Sequence, residues 1–206
     1  MTQWDVDFLS NLSLSPAEKE AWQYYQGFGY ELIATLLYKG KIALIEILRK
    51  NGIADEKISA EIGSIRRTIK ILDRSFHHIF LKENYSVFHG IGKREYREIS
   101  KLQIGDIFQP KGFVSVTYTL KVAIKFSVKV EDESQIIALR LKKGQQAIFL
   151  GHLPKNEDEI VLPRNSKFHL IDKRSIIIND PLPSDIGNSI TTPYRVTLYS
   201  VEWLNE

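Results

Sequence analysis

Three consecutive carboxylates, Glu157, Asp158 and Glu159, stand directly before the apolar run Ile160–Leu162. In an extended backbone alternate side chains share a face, so Glu157 and Glu159 point one way and Asp158 the other. Two like charges on one face at the mouth of a buried strand repel each other and lose solvation. Packing gives a chain little reason to build this; the bland alternative is a charged hairpin tip in water. Several other chemistries are closed off. The 206 residues include no cysteine, which excludes a thiol nucleophile, a thiolate zinc site and any disulfide. No Walker loop, G-x-G-x-x-G, H-E-x-x-H or serine-hydrolase elbow occurs. His77 and His78 end a helical segment, where they suit its C-terminal dipole better than a metal. No metal is expected.

Two further segments carry polar residues worth weighing. Tyr85–His89 alternates as a strand and ends at Gly90. Lys111–Thr117 reads as a short strand after a Pro-Lys-Gly turn and holds Phe113, Ser115 and Thr117. Taken singly, His89 is as well explained by a buried strand histidine with a satisfied hydrogen bond, and Ser115 by a hydroxyl bonded to backbone.

The elements that position these residues follow in chain order. Ser15-Pro16-Ala17-Glu18 is a capping box with proline at the first helical position. It predicts a helix to about Gln26, ended by Gly27 and Gly29, with Trp22 and Tyr25 packed inward. Helices follow over Tyr30–Lys39, closed by Gly40, and Ile42–Arg49, closed by Asn51-Gly52. A longer one over Asp55–Leu72 repeats Ile58, Ile62, Ile65, Ile69 and Leu72 at helical spacing, with Arg66, Arg67 and Lys70 on its solvated face. A short helix is expected near Glu95–Lys101, and Thr119 can cap another running to Phe126. Strands are expected at Ile136–Leu141, Ala147–Leu150, Ile160–Leu162, Ile176–Ile178 and Tyr194–Trp203, with Arg164 and Asn165 in a turn. Helices first and strands afterwards indicate an α+β fold, a single domain with a helical part over 1–80 and a β-rich part over 81–206.

The net charge of +3 is too small to argue for nucleic acid, and no apolar run is long enough to span a bilayer. The first ten residues lack a basic region followed by an apolar core. The expected location is the cytoplasm, or a target cell reached without a secretory signal.

Taken together, Tyr85–Gly90, then Gly105-Asp106 leading to Lys111-Gly-Phe-Val-Ser-Val-Thr117, then Glu157-Asp-Glu159-Ile-Val-Leu-Pro163, resemble the mono-ADP-ribosyltransferases of the arginine–serine–glutamate class, found in bacterial toxins and phage enzymes. The opening helices are also similar to that family's. The resemblance implies two facing, strongly bent antiparallel sheets with NAD, the substrate, in the cleft between them. It implies that Glu159 holds the nicotinamide ribose and stabilises the oxocarbenium ion left by nicotinamide. Glu157 would engage the acceptor, which is arginine when this position is glutamate. Ser115 would orient Glu159, and Phe113 would support the nicotinamide end. Gly90 and Thr117 fall within the NAD-binding segments. His152, Lys155 and Asn156 lie on the turn that would meet the protein substrate.

The chain departs from the family pattern twice. His89 stands where the first motif has an arginine that contacts the NAD phosphates, and Ser115-Val116-Thr117 replaces the usual Ser-Thr-Ser. Diphtheria-like transferases use histidine at the equivalent strand, yet a neutral imidazole cannot replace a bidentate guanidinium at a phosphate. Lys93 or Arg94 could supply that charge. The rival expectations are NAD hydrolysis with water as acceptor, and an inactive module of the same fold that binds NAD, ADP-ribose or a protein.

Overall fold

The computed structural model describes residues 14–150, 159–179 and 193–204. Helix α1 (Pro16–Tyr24) starts on the expected capping box: the Glu18 N–H donates to Ser15 Oγ at 3.3 Å, and the Ser15 N–H donates to Glu18 Oε2 at 2.8 Å. Its end differs from the expected stop. A π-turn spans Tyr25–Gly29, with Gly27 at φ −82° and ψ −125°, and leads straight into α2 (Tyr30–Lys50). The two helices expected on either side of Gly40 are the two halves of α2, broken where Gly40 adopts φ 82°, a conformation that favours glycine. Helix α3 (Asp55–Ser75) buries the predicted stripe of Ile58, Ile62, Ile65, Ile69 and Leu72. Each such side chain contributes about 1.5–3 kcal/mol on burial, so this stripe is what holds the helical layer together.

Among the described residues nine strands form one hydrogen-bonded sheet. They are β1 (Tyr85–Gly90), β2 (Ile107–Phe108), β3 (Val114–Thr117), β4 (Lys129–Val130), β5 (Glu133–Leu141), β6 (Ile148–Phe149), β7 (Glu159–Leu162), β8 (Lys167–Ile178) and β9 (Tyr194–Leu204). Their order is β2-β8-β9-β5-β1-β3-β7-β6, with β4 beside β5. At the junction of β1 and β3 only Phe88 and Thr117 are in register, so the path divides there into a long limb and a short one. Val87, Ile137, Leu139 and Tyr199 of the long limb share one core cluster with Val114, Val116, Ile160 and Leu162 of the short limb. The fold is the expected α+β arrangement of helices followed by a bent, two-limbed β structure. One pairing, β5 with β9, is parallel, because the chain between them passes through β6 to β8, a crossover long enough to bring it back in the same direction.

The segment expected as an isolated strand at Ile176–Ile178 is the end of the long β8. A register shift between Leu170 and Asp172 breaks its alternation, and exposed Lys173 and Arg174 hide the rest. The short helices are α4 (Lys93–Ile99) and α5 (Leu120–Phe126). Thr119 occupies the N-cap of α5 without a side-chain capping bond; its own N–H donates to Thr117 Oγ1 at 3.1 Å.

Strand β7 shows how the layers meet. Ile160 and Leu162 point into the cluster between the limbs, while Val161 joins the helical core with Ile148, Leu150, Trp22 and Ile33. Period-two alternation then sets Glu159 on Val161's face, toward the helices. Trp22, fully buried, donates from Nε1 to Ser75 Oγ at 3.0 Å. It packs with Tyr25, Phe76 and Phe113 at centroid distances of 5.4, 5.7 and 6.0 Å. Arg164 does more than turn the chain. Its guanidinium grips Asp73 of α3 through two bonds of 2.7 and 2.9 Å, fastening the β7–β8 turn to the helical layer.

Candidate active site

A cavity of about 580 Å³ opens between the helical layer and the short limb, within the roughly 300–1,000 Å³ range of small-molecule sites. Ser115, Thr117, Glu159, Phe113, His89 and Gly90 all line it. Antiparallel pairing of β3 with β7 sets Thr117 directly opposite Glu159 and Ser115 opposite Val161. Ser115, Thr117 and Glu159 therefore share a face, and directly opposed side chains have Cβ atoms about 4.5–5.5 Å apart. Of the residues expected to do chemistry, Ser115 and Glu159 thus come together where strand register requires. His152, Lys155, Asn156 and Glu157 lie outside the described residues.

The polar contacts that the helical wall makes with this strand face were not foreseen. Tyr25 and Gln26 open the π-turn and line the cavity from the helical side; such turns recur at functional sites. The Tyr25 phenol lies beside the Ser115 side chain on the cavity wall. Burial first, and then the negative charge of Glu159, push its pKa well above the ordinary 10.0, so the phenol keeps its proton. Gln26 donates from Nε2 to Glu159 Oε2 at 3.0 Å and to the Leu150 carbonyl at 3.4 Å. Two polar residues before Gly27-Phe28-Gly29, where a plain helix would stop, were the only sequence signal of this wall.

His89 is held from both sides. Its Nδ1 lies 2.6 Å from the Ser115 carbonyl and its Nε2 lies 3.1 Å from Glu95 Oε2. A carbonyl and a carboxylate only accept, so a ring with both nitrogens protonated satisfies both contacts, while a neutral ring leaves a lone pair facing an acceptor. Burial, the largest effect, opposes that charge; Glu95's charge and hydrogen bond and the Ser115 carbonyl outweigh it, and the pKa of His89 is raised from 6.5. Burial likewise disfavours ionised Glu95, but His89 and the Gly92 N–H overcome it and lower its pKa. The pair is an imidazolium–carboxylate bridge joining β1, β3 and α4. Both N–H groups of His89 are taken, so neither is spare for a phosphate.

Charge with room to act comes from α4. Lys93 and Arg94 are exposed and line the cavity. The Arg94 guanidinium lies 3.7 Å from the centre of the Tyr38 ring, a cation–π contact. Tyr38 in turn packs against Gly112, where a Cβ would sit 2.8 Å from its ring. Gly90 is needed at the cavity edge, since a Cβ there would sit 2.2 Å from the Ala123 carbonyl of α5.

The protein-family model described as ADP-ribosyltransferase exoenzyme matches residues 1–190. No curated protein gives a match. Among solved structures, the enzymatic component C2-I of the C2-toxin from Clostridium botulinum is similar over 99% of this chain and 48% of its own, at 14% identity and TM-score 0.65. This chain therefore spans about half the length of that toxin component. The ADP-ribosyltransferase toxin Plx2a from Paenibacillus larvae is similar over 98% of this chain and 94% of its own, at 17% identity and TM-score 0.62. The ADP-ribosylating toxin BECa of a Clostridium perfringens binary enterotoxin, solved with NADH, covers 95% and 45%, at 15% identity and TM-score 0.61. These identities speak for the fold, while the match over most of the sequence speaks for descent: the chain belongs to the ADP-ribosyltransferase exoenzyme family.

Proposed function

We propose that this chain transfers ADP-ribose from NAD to a protein side chain, an arginine, and releases nicotinamide. The observation that carries the reading is the shared face of Ser115, Thr117 and Glu159 on the wall of the large cavity. Family membership supports it, as does the neighbouring BECa toxin solved with NADH.

In this reading the bond between C1′ of the nicotinamide ribose and the pyridinium nitrogen breaks, and nicotinamide leaves with the electron pair. Positive charge builds on the ribose. Glu159 supplies a fixed negative charge beside it, which is worth more in a cleft that excludes water. Ser115, on the same strand face as Glu159, lines the pocket and helps hold that carboxylate in orientation. Phe113, wedged in the aromatic cluster, forms a rigid wall for the nicotinamide end. Arg94 and Lys93 meet the diphosphate, the part that the family's arginine serves and His89 does not. Glu157 holds the incoming guanidinium and takes its proton as nitrogen bonds to C1′.

The acceptor is tested with agmatine, a small guanidine. Wild type with NAD should release nicotinamide several-fold faster when agmatine is added, and ADP-ribosyl-agmatine should accumulate. Release at a rate indifferent to agmatine, with free ADP-ribose as the product, would instead establish NAD hydrolysis. The protein partner is whatever target presents such an arginine to the cavity mouth.

A further inference from the structure

Gln26 is the residue whose geometry asks for an explanation. Its Nε2 bridges the Glu159 carboxylate at 3.0 Å and the Leu150 carbonyl at 3.4 Å. Leu150 and Glu159 are themselves joined, the Leu150 N–H donating to the Glu159 carbonyl at 2.7 Å. One side chain from the π-turn therefore grips both stems at the base of the β6–β7 hairpin. The other end of the same amide is left unsatisfied. Gln26 Oε1 is buried and has no hydrogen-bond partner among the described residues. An unpaired buried acceptor is destabilising, and a glutamine can exchange its two ends by rotating half a turn. Here that rotation would set Oε1 against a carboxylate and a carbonyl, two acceptors. The orientation is thus dictated by Glu159 and Leu150, and a stability cost is tolerated to keep the NH₂ group on the carboxylate. Costs of that kind collect at functional sites.

Resting on the transferase reading above, we infer that Gln26 is a positioning residue for the reaction: it fixes the rotamer of Glu159 so that one carboxylate oxygen is held by the helical layer while the other faces the cavity. The contribution is exerted through Glu159, so it is felt when charge develops on the ribose and hardly at all in binding NAD. Gln26 stands four residues after Trp22 and so shares its sheet-facing side, and the π-turn begins just before it, at Tyr25.

The test uses Gln26→Met, which keeps the length and apolar stem but deletes both the donor and the orphaned acceptor. Nicotinamide release is measured across NAD concentrations, with thermal unfolding alongside. The expected result is a kcat roughly ten- to hundredfold lower, the loss of one hydrogen bond to a charged group, with KM changed less than about threefold and the melting temperature unchanged or higher. A merely structural glutamine gives the opposite pattern, a lower melting temperature with kcat intact, and that result overturns the inference. So does a variant matching wild type in every respect. A wild-type protein that never releases nicotinamide removes the transferase reading itself and this inference with it. An active wild type with an unimpaired Gln26→Met removes the inference alone.

Discussion

Replacing Glu159 with glutamine is expected to lower nicotinamide release and ADP-ribosyl transfer about 10²- to 10³-fold, with the fold intact. The magnitude is that of removing one preorganised charge or dipole from a site where charge develops. The amide has the carboxylate's shape, so packing between β7 and the helical core is undisturbed. What changes is the field at the ribose, where a full negative charge becomes a neutral dipole. Gln26 Nε2 can still donate to the amide oxygen of the new side chain, so the melting temperature should stay within about 2 °C of wild type, as for a substitution that orphans no further buried group. Radiolabelled NAD under single-turnover conditions reads the effect. Labelling by Glu159→Gln at the wild-type rate would show that the carboxylate has no part in the reaction.

Removing His89 should do the greatest damage to stability. His89→Leu leaves the Glu95 carboxylate without its cation and the Ser115 carbonyl without its donor. Breaking a buried pair from one side typically costs about 3–5 kcal/mol. The side chains of His89 and Glu95 are 14% and 24% exposed, and Glu95 keeps the Gly92 N–H at 3.0 Å, so the lower end, about 3 kcal/mol, is expected in urea unfolding. The cost should also depend on pH. His89 has a folded pKa raised above 6.5, so its contribution is complete below 6.5 and is lost as the pH rises through the raised value. Glu95 has a folded pKa lowered from 4.5; its contribution is complete above 4.5 and is lost as the pH falls through the lowered value. The stability gap between wild type and His89→Leu should therefore be widest between pH 4.5 and 6.5 and narrow on the alkaline side. A gap that stays constant from pH 5 to pH 9, by roughly the same amount at each step, would mean that His89 carries no charge in this network.

How much of this was legible in the chain depends on how local each feature is. The Ser15–Glu18 capping box, the break at Gly40 and the apolar stripe of α3 are written within a few residues, and each stands where the sequence puts it. The gathering of His89, Ser115, Thr117 and Glu159 was legible only through resemblance, because no spacing rule brings three strands together. Gln26 and Glu159 are 133 residues apart, and Arg164 and Asp73 are 91 apart; nothing near either partner announces the other. The double capture of His89 depends on a backbone carbonyl, a group every residue carries, so the side-chain sequence is silent about it. The π-turn was misread as a helix end because glycine signals a change of backbone conformation without saying which one.

A crystal of the protein soaked with NAD tests the central claim most directly. The account predicts the dinucleotide in the cavity between the helical layer and the short limb, with a nicotinamide-ribose hydroxyl about 2.5–3.0 Å from Glu159, within hydrogen-bond range, and the diphosphate beside Arg94. NAD bound elsewhere, or a cavity still empty at saturating NAD, would contradict it.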